Sequence, residues 1–165
     1  LVTGGARVLL LEGGHSNRHP LLDMPPGIFR MINGSKFMHY HTTVPQAHLG
    51  GRAHDIPQGN VLGGGSSVNA QVYMRGRPSD YDAWDAALRG NNDGADWSWN
   101  AVLPHFRGME DNNRLNNDLH GVGGRMQVSD PGHIDQMSRW FVQAVQALGK
   151  PFNDDFNGPS QRGVG

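Results

Sequence analysis

The chain has 165 residues, a formal net charge of −1 and only 18% charged residues. So neutral a balance offers no basic face for nucleic acid or another polyanion and no polybasic segment for a membrane surface. Zero cysteines exclude disulfides and thiolate metal sites, while 24 glycines and 10 prolines predict long irregular segments around the regular elements.

Val8–Leu11 is the longest aliphatic run, far too short to cross a bilayer. It follows Gly4-Gly5 and closes at Glu12-Gly13-Gly14, which predicts a buried parallel strand ending at an acidic residue. In a dinucleotide-binding fold the second strand ends in an Asp or Glu that accepts hydrogen bonds from the adenosine ribose. Glu12, with Gly13 beside it, is the candidate; an ordinary solvated glutamate is the alternative. The phosphate fingerprint G-x-G-x-x-G that stands about 20 residues earlier in such folds is not in the chain.

Residues 15–58 read as irregular. His15–Pro26 is loop-like, Ile28, Met31 and Ile32 share one short helical face, and His39–Val44 has strand character up to Pro45. Gly50-Gly51 marks a turn, and Ile56-Pro57 leads into a glycine-rich loop.

That loop is the most informative stretch, GNVLGGGSSVNAQVYMRGRPSDYD over residues 59–82. Glycines allow close backbone approach and positive φ, and the N–H groups of a loop entering a helix suit an anionic group. No lysine follows the last glycine, so the loop is not a nucleotide-triphosphate loop. It also lies about 50 residues beyond Glu12, so it is not the first-turn loop of a nicotinamide-binding fold.

Beyond it, Ser67–Met74 is expected to open a helix or a short helical turn. Ser79 is placed as the cap of a second one, with Asp82 in the capping-box position and Tyr81, Trp84 and Leu88 on one inner face ending at Gly90. Asn91–Asp96 reads as a loop. Ser98 caps a third helix with Val102, Leu103 and Phe106 inward, bent at Pro104. Asp111–Asp118 is a polar loop, His120–Gly124 a turn feeding a strand at Met126–Val128. From His133 to Leu148, Ile134, Met137, Phe141, Val145 and Leu148 keep the 3–4 spacing of an amphipathic helix, stopped by Gly149 and Pro151.

Residues 59–82 fit, position for position, the first signature segment of the glucose–methanol–choline (GMC) flavin oxidoreductases: Gly59, Asn60, Leu62, Gly63–Ser67, Asn69, Tyr73, Gly76 and Asp82. The resemblance extends to residues 7–13, to the Trp97–Phe106 segment and to residues 149–158. A tryptophan common in the family near His39 is missing here.

The resemblance implies an α/β fold: part of an FAD-binding Rossmann-like domain over residues 1–130, lacking its first strand and phosphate loop, then the start of a substrate-binding α+β domain over 131–165. It implies that Glu12, Gly13, Val61, Gly63 and Gly64 line FAD, and that Asn69, Ala70, Gln71 and Val72 lie at the isoalloxazine. Fixed N–H donors at the N1–C2 edge would stabilise the charge that develops on hydride uptake. Some family members carry a histidine before the asparagine that binds flavin covalently; Val68 stands there, so non-covalent FAD is expected.

The implied activity is oxidation of a small-molecule alcohol by hydride transfer to flavin N5, with oxygen, a quinone or another electron acceptor. The general-base histidine of the family lies beyond the C-terminal end of this chain, so no catalytic residue is assigned and a fragment inactive alone is expected. Two other readings fit the same residues: a GMC-type hydroxynitrile lyase with structural FAD, and a non-catalytic interaction module.

His39 and His41 share one strand face but lack further ligands at metal-site spacing, so no metal is assigned. His105 and His133 read as solvated helix residues. Trp84 is placed in the core, and Trp97 and Trp99 as staples at a helix start.

Overall fold

The computed structural model describes residues 2–89 and 94–165. Gly90, assigned above as a helix stop, and Asn91–Asp93 of the Asn91–Asp96 loop lie outside them. Helices and strands mix as in an α/β protein, and the chain packs as two compact units, Leu1–Val72 and Tyr73–Gly165.

The first unit contains α1 (Pro20–Asp23), α2 (Gly27–Met31), β1 (Met38–Thr42) and β2 (Asp55–Gly59). Pro20 opens α1 at the position where a missing N–H costs nothing, and His19 Nδ1 accepts the Leu21 N–H at 3.2 Å as its cap. The strands form an antiparallel hairpin with Met38 opposite Gly59 and Thr42 opposite Asp55. Pro57 is tolerated because a two-stranded sheet consists of edges. Tyr40 ties the hairpin to the end of α2, its hydroxyl donating to the Ile32 carbonyl at 2.8 Å and accepting the Gly34 N–H at 3.1 Å.

Behind the hairpin sits an apolar core of Met31, Phe37, Met38, Val61 and Val68, with Leu22 and Ile28 against it. Of the expected face on α2, Met31 is buried and Ile28 is partly buried, whereas Ile32 points outward.

Two expectations fail in this unit. Val8–Leu11 is not a buried strand: it has no regular structure, and Leu9, Leu10 and Leu11 are 81%, 71% and 84% exposed. A parallel strand buries its apolar residues only between paired neighbours and covering helices, and no described strand pairs with this run. Nor does a helix run from Ser67 to Met74. A single 3₁₀ turn, Gly64–Ser67, is followed by irregular backbone. Asn69 Oδ1 accepts the Gln71 N–H at 2.9 Å, and Gln71 takes a φ of 58°. An Asx turn leading into a left-handed residue leaves the helical path.

The second unit contains α3 (Pro78–Leu88), α4 (Trp99–Met109), β3 (Glu110–Asn112), β4 (Met126–Val128) and α5 (Gln136–Ala147). β3 and β4 pair in parallel, Glu110 opposite Met126. The capping of α3 differs from expectation. Arg77, not Ser79, is the N-cap, and Asp80 accepts its N–H at 3.2 Å. Pro78 fixes this start because its locked φ belongs at the first helical position.

Tyr81 is the packing centre between α3 and α4, with ring distances of 5.6 Å to Trp84, 5.5 Å to Trp99 and 5.8 Å to Phe106. Trp84 is not a core residue: its ring meets Tyr81 edge-on while more than half of it stays exposed. Pro104 lies within α4, which continues to Met109. On α5, Asp135 caps by accepting the Ser138 N–H at 3.0 Å, and Gly149 ends the helix at a φ of 81°. The apolar stripe of α5 is exposed at Met137, Phe141 and Leu148.

The two interiors differ in kind. The buried side chains of the first unit are apolar, whereas those described in the second are Arg75, Asp85, Glu110 and His120, joined by Val164.

Candidate functional site

The residues singled out from sequence fall into two segments of the first unit, Glu12–Gly13 and Val61–Val72, and the fold joins them. His15 donates its N–H to the Asn60 carbonyl at 3.0 Å and accepts the Leu62 N–H at 2.8 Å, a parallel bridge between His15 and Val61. Gly14 makes this approach possible, because a Cβ there would run into the Asn60–Val61 backbone. Glu12 then folds over the same corner, its Oε1 accepting the Gly14 N–H at 2.7 Å. Gly14 was missed as a site residue; the glycine pair directly after the acidic residue was its signal.

Val61 is fully buried and anchors the loop in the apolar core, where Val68 anchors its other end. Between them the chain turns through Gly63 and Gly64, at φ 90° and 53°. Ser66 and Ser67 lock that turn by donating to the carbonyls of Gly63 and Leu62, both at 2.7 Å. A Cβ at Gly59 would come within 2.6 Å of the Gly64 backbone, so the loop lies directly on β2. Its other side is open, with nothing within 4 Å of a Cβ placed on Gly64 or Gly65.

Beyond Val68, Ala70, Gln71 and Val72 are exposed. The N–H groups of Ala70 and Val72 meet no acceptor among the described residues. A cleft of about 140 Å³, lined in part by Asn17, Met24, Ser66, Asn69 and Gln71, flanks the loop. That is below the roughly 300–1,000 Å³ of small-molecule pockets.

Residues 3–165 match the family model for GMC oxidoreductase. The chain belongs to the GMC oxidoreductase family.

Among curated GMC relatives, the chain is 41% identical over 160 residues to an alcohol dehydrogenase [acceptor] of Pseudomonas putida, covering 96% of this chain and 28% of that protein. It is 34% identical over 166 residues to an oxygen-dependent choline dehydrogenase of Photobacterium profundum, covering 99% of this chain and 28% of the relative. The crystal structure of pyridoxine 4-oxidase from Mesorbium loti superposes with a TM-score of 0.72 at 32% identity, over 90% of this chain and 28% of that one. The chain therefore spans somewhat over a quarter of the length of these relatives.

FAD is the cofactor of GMC oxidoreductases, and this chain carries part of the region that binds it. The loop fits such a group: an open face of two glycines whose missing Cβ atoms a ligand would replace, free N–H donors at Ala70 and Val72, and a carboxylate at Glu12 joined to the same corner. Val68 is apolar and buried, and offers no nucleophile.

The histidines lie elsewhere. The rings of His39 and His41 meet at 4.4 Å on an exposed strand face, and His105 and His133 are exposed. Among the described residues, no group of three or more His, Cys, Asp or Glu is placed to hold a metal ion. No described helix is long and apolar enough to cross a membrane.

Sequence reasoning overlooked the charged centre of the second unit. Arg75 and Glu110 form a buried ion pair, and Arg75 also donates to the Leu119 carbonyl. The other oxygen of Glu110 receives His120 Nδ1 and Asn112 Nδ2, both at 2.9 Å. Burial pushes the Glu110 carboxyl up, but the hydrogen bonds from Asn112, His120 and the Gly121 N–H, with the Arg75 charge, outweigh it and hold the group below the ordinary glutamate value.

Proposed function

We propose that this chain is the flavin-edge segment of an FAD-dependent oxidoreductase that takes a hydride from the CH–OH carbon of a small-molecule alcohol. The observation that carries the reading is the bridge joining Glu12–His15 to Asn60–Leu62. It brings Glu12 and the glycine loop to one corner, which supports a shared cofactor contact.

Bound FAD would supply the hydride acceptor at N5. Glu12 would accept hydrogen bonds from the adenosine ribose, with Gly13 leaving room beside it. Gly63 and Gly64 would let the backbone lie against the cofactor, and Val61 would hold that backbone in place from the core. Asn69 would fix Gln71 in its turned conformation, so that Ala70 and Val72 present N–H groups where negative charge develops. With Val68 apolar, the FAD would be held without a covalent bond.

On this reading residues 1–130 form part of the FAD-binding region and 131–165 open the substrate-binding region. Names of the relatives support an alcohol donor, one being an alcohol dehydrogenase and another a choline dehydrogenase. The electron acceptor would be oxygen, a quinone or another small carrier. The general base would come from sequence outside these 165 residues, so the chain alone would bind FAD weakly and turn nothing over.

The test is the visible spectrum of the full-length gene product before and after anaerobic addition of an alcohol panel. Bleaching of a flavin band by one alcohol supports the reading. A protein that stays colourless and cannot be reconstituted with FAD overturns it.

A further inference from the structure

His120 is 2% exposed and lies between two carboxylates on different segments. Its Nδ1 stands 2.9 Å from Glu110 Oε1 on β3, and its Nε2 stands 3.0 Å from Asp155 Oδ2 in the C-terminal turn. The ring thus bridges β3 and the C-terminal turn through both of its nitrogens.

The groups facing this ring are few. Glu110 is shared with Arg75, Asn112 Nδ2 lies 3.4 Å from Nδ1, and Asp155 is partly exposed. The neighbouring acid Asp154 is paired to Arg114 at 3.1 Å.

The turn that His120 grips reaches back to the start of the unit. Asp155 Oδ1 accepts the Asn157 N–H at 3.0 Å. Asn157 in turn accepts the Arg75 N–H and donates to the Tyr73 carbonyl, both at 2.9 Å. Gln161 Nε2 donates to the Gly76 carbonyl at 2.8 Å. Among the described residues the backbone of 73–76 has no strand partner, and these side chains, with the Tyr81 hydroxyl on the Arg75 carbonyl, hold it.

We infer that His120 is a positioning residue: bridging Glu110 and Asp155, it locks the Asn153–Gly158 turn so that Asn157 fixes the backbone at Tyr73–Arg75. Tyr73 follows Val72 directly in the chain, where the glycine-rich loop segment ends. Calling that loop the flavin edge rests on the function proposed above, whereas the lock does not.

The experiment uses the 165-residue chain without flavin. The Arg75 and Asn157 amides should exchange slowly with solvent. In H120Q, the Arg75 and Asn157 amides should exchange about tenfold faster or more, while amides in α5 keep their rates. D155N removes only the partly exposed partner and should give the same local release if H120Q does not fold. An Arg75 amide that already exchanges fast in the wild type, or is unchanged in D155N, overturns the inference. A separate FAD titration of the full-length protein tests the flavin reading, so the two fail independently.

Discussion

Asp82, on α3, caps the start of α4: its Oδ1 accepts the Trp99 N–H at 2.9 Å. One turn on, Asp85 does the same for Trp97 at 3.1 Å while holding Arg89 at 2.9 Å. Two carboxylates of one helix thus satisfy donors at the entrance of the next. Such side-chain caps contribute about 1 kcal/mol each. D82A should lower the melting temperature by about 2–4 °C, whereas S79A, at the position the sequence suggested as a cap, should leave it unchanged. Thermal unfolding followed by circular dichroism separates the two.

Gly13 and Gly14 are adjacent but not equivalent. A Cβ on Gly13 meets nothing within 4 Å, whereas one on Gly14 collides with Asn60–Val61. G14A should cost about 1–3 kcal/mol through forced separation of the two segments, while G13A should stay within about 0.5 kcal/mol of wild type. Equal denaturant midpoints for the two variants would contradict the close approach.

Gly64 has a φ of 53° and open space where a side chain would stand. G64A should therefore cost only about 1–2 kcal/mol of backbone strain. In the full-length protein it should weaken FAD binding well beyond that loss, because the methyl would occupy the open loop face. An FAD titration beside an unfolding curve compares the two effects, and a parallel loss in both would place the cofactor elsewhere.

Glu110 carries an acid-sensitive contribution to stability. Its folded carboxyl titrates below the ordinary glutamate value. The contribution is therefore complete above the unfolded value, roughly pH 4.3, and is lost as pH falls through the lower folded value. E110Q leaves Arg75 buried without a counter-charge and should cost about 3–5 kcal/mol. Its unfolding midpoint should also respond less to acid than that of the wild type. Urea titrations at successively lower pH measure both effects.

The longer helices α3, α4 and α5 were legible because their signals are local, whereas α1, within the segment read as loop, was not. Spacing alone located α5, and Ser98 as cap with Val102, Leu103 and Phe106 on one face located α4. The strand character of His39–Val44 anticipated β1. The glycine loop was legible through its density of constrained positions.

What stayed hidden depends on distant partners. Arg75 meets Glu110 and Leu119 across 35 and 44 residues, and Asn157 reaches back 82 to Arg75. No periodicity marks such pairs. Ser67–Met74 misled for the opposite reason, since its apolar residues suggest a helix while one Asx turn at Asn69–Gln71 overrides them. Val8–Leu11 misled because strand burial needs neighbours as well as composition.

That exposed run has a consequence for handling the protein. Four aliphatic side chains in series, without proline and mostly open to solvent, would favour pairing between copies once flanking residues extended the segment. Arg7 and Glu12 bracket the run, and their like charges would repel in a parallel, in-register stack of identical segments. Glu12 thus bears on colloidal behaviour as well as on the loop corner, and neutralising it would remove one of the two charges that keep the segment apart from its own copies.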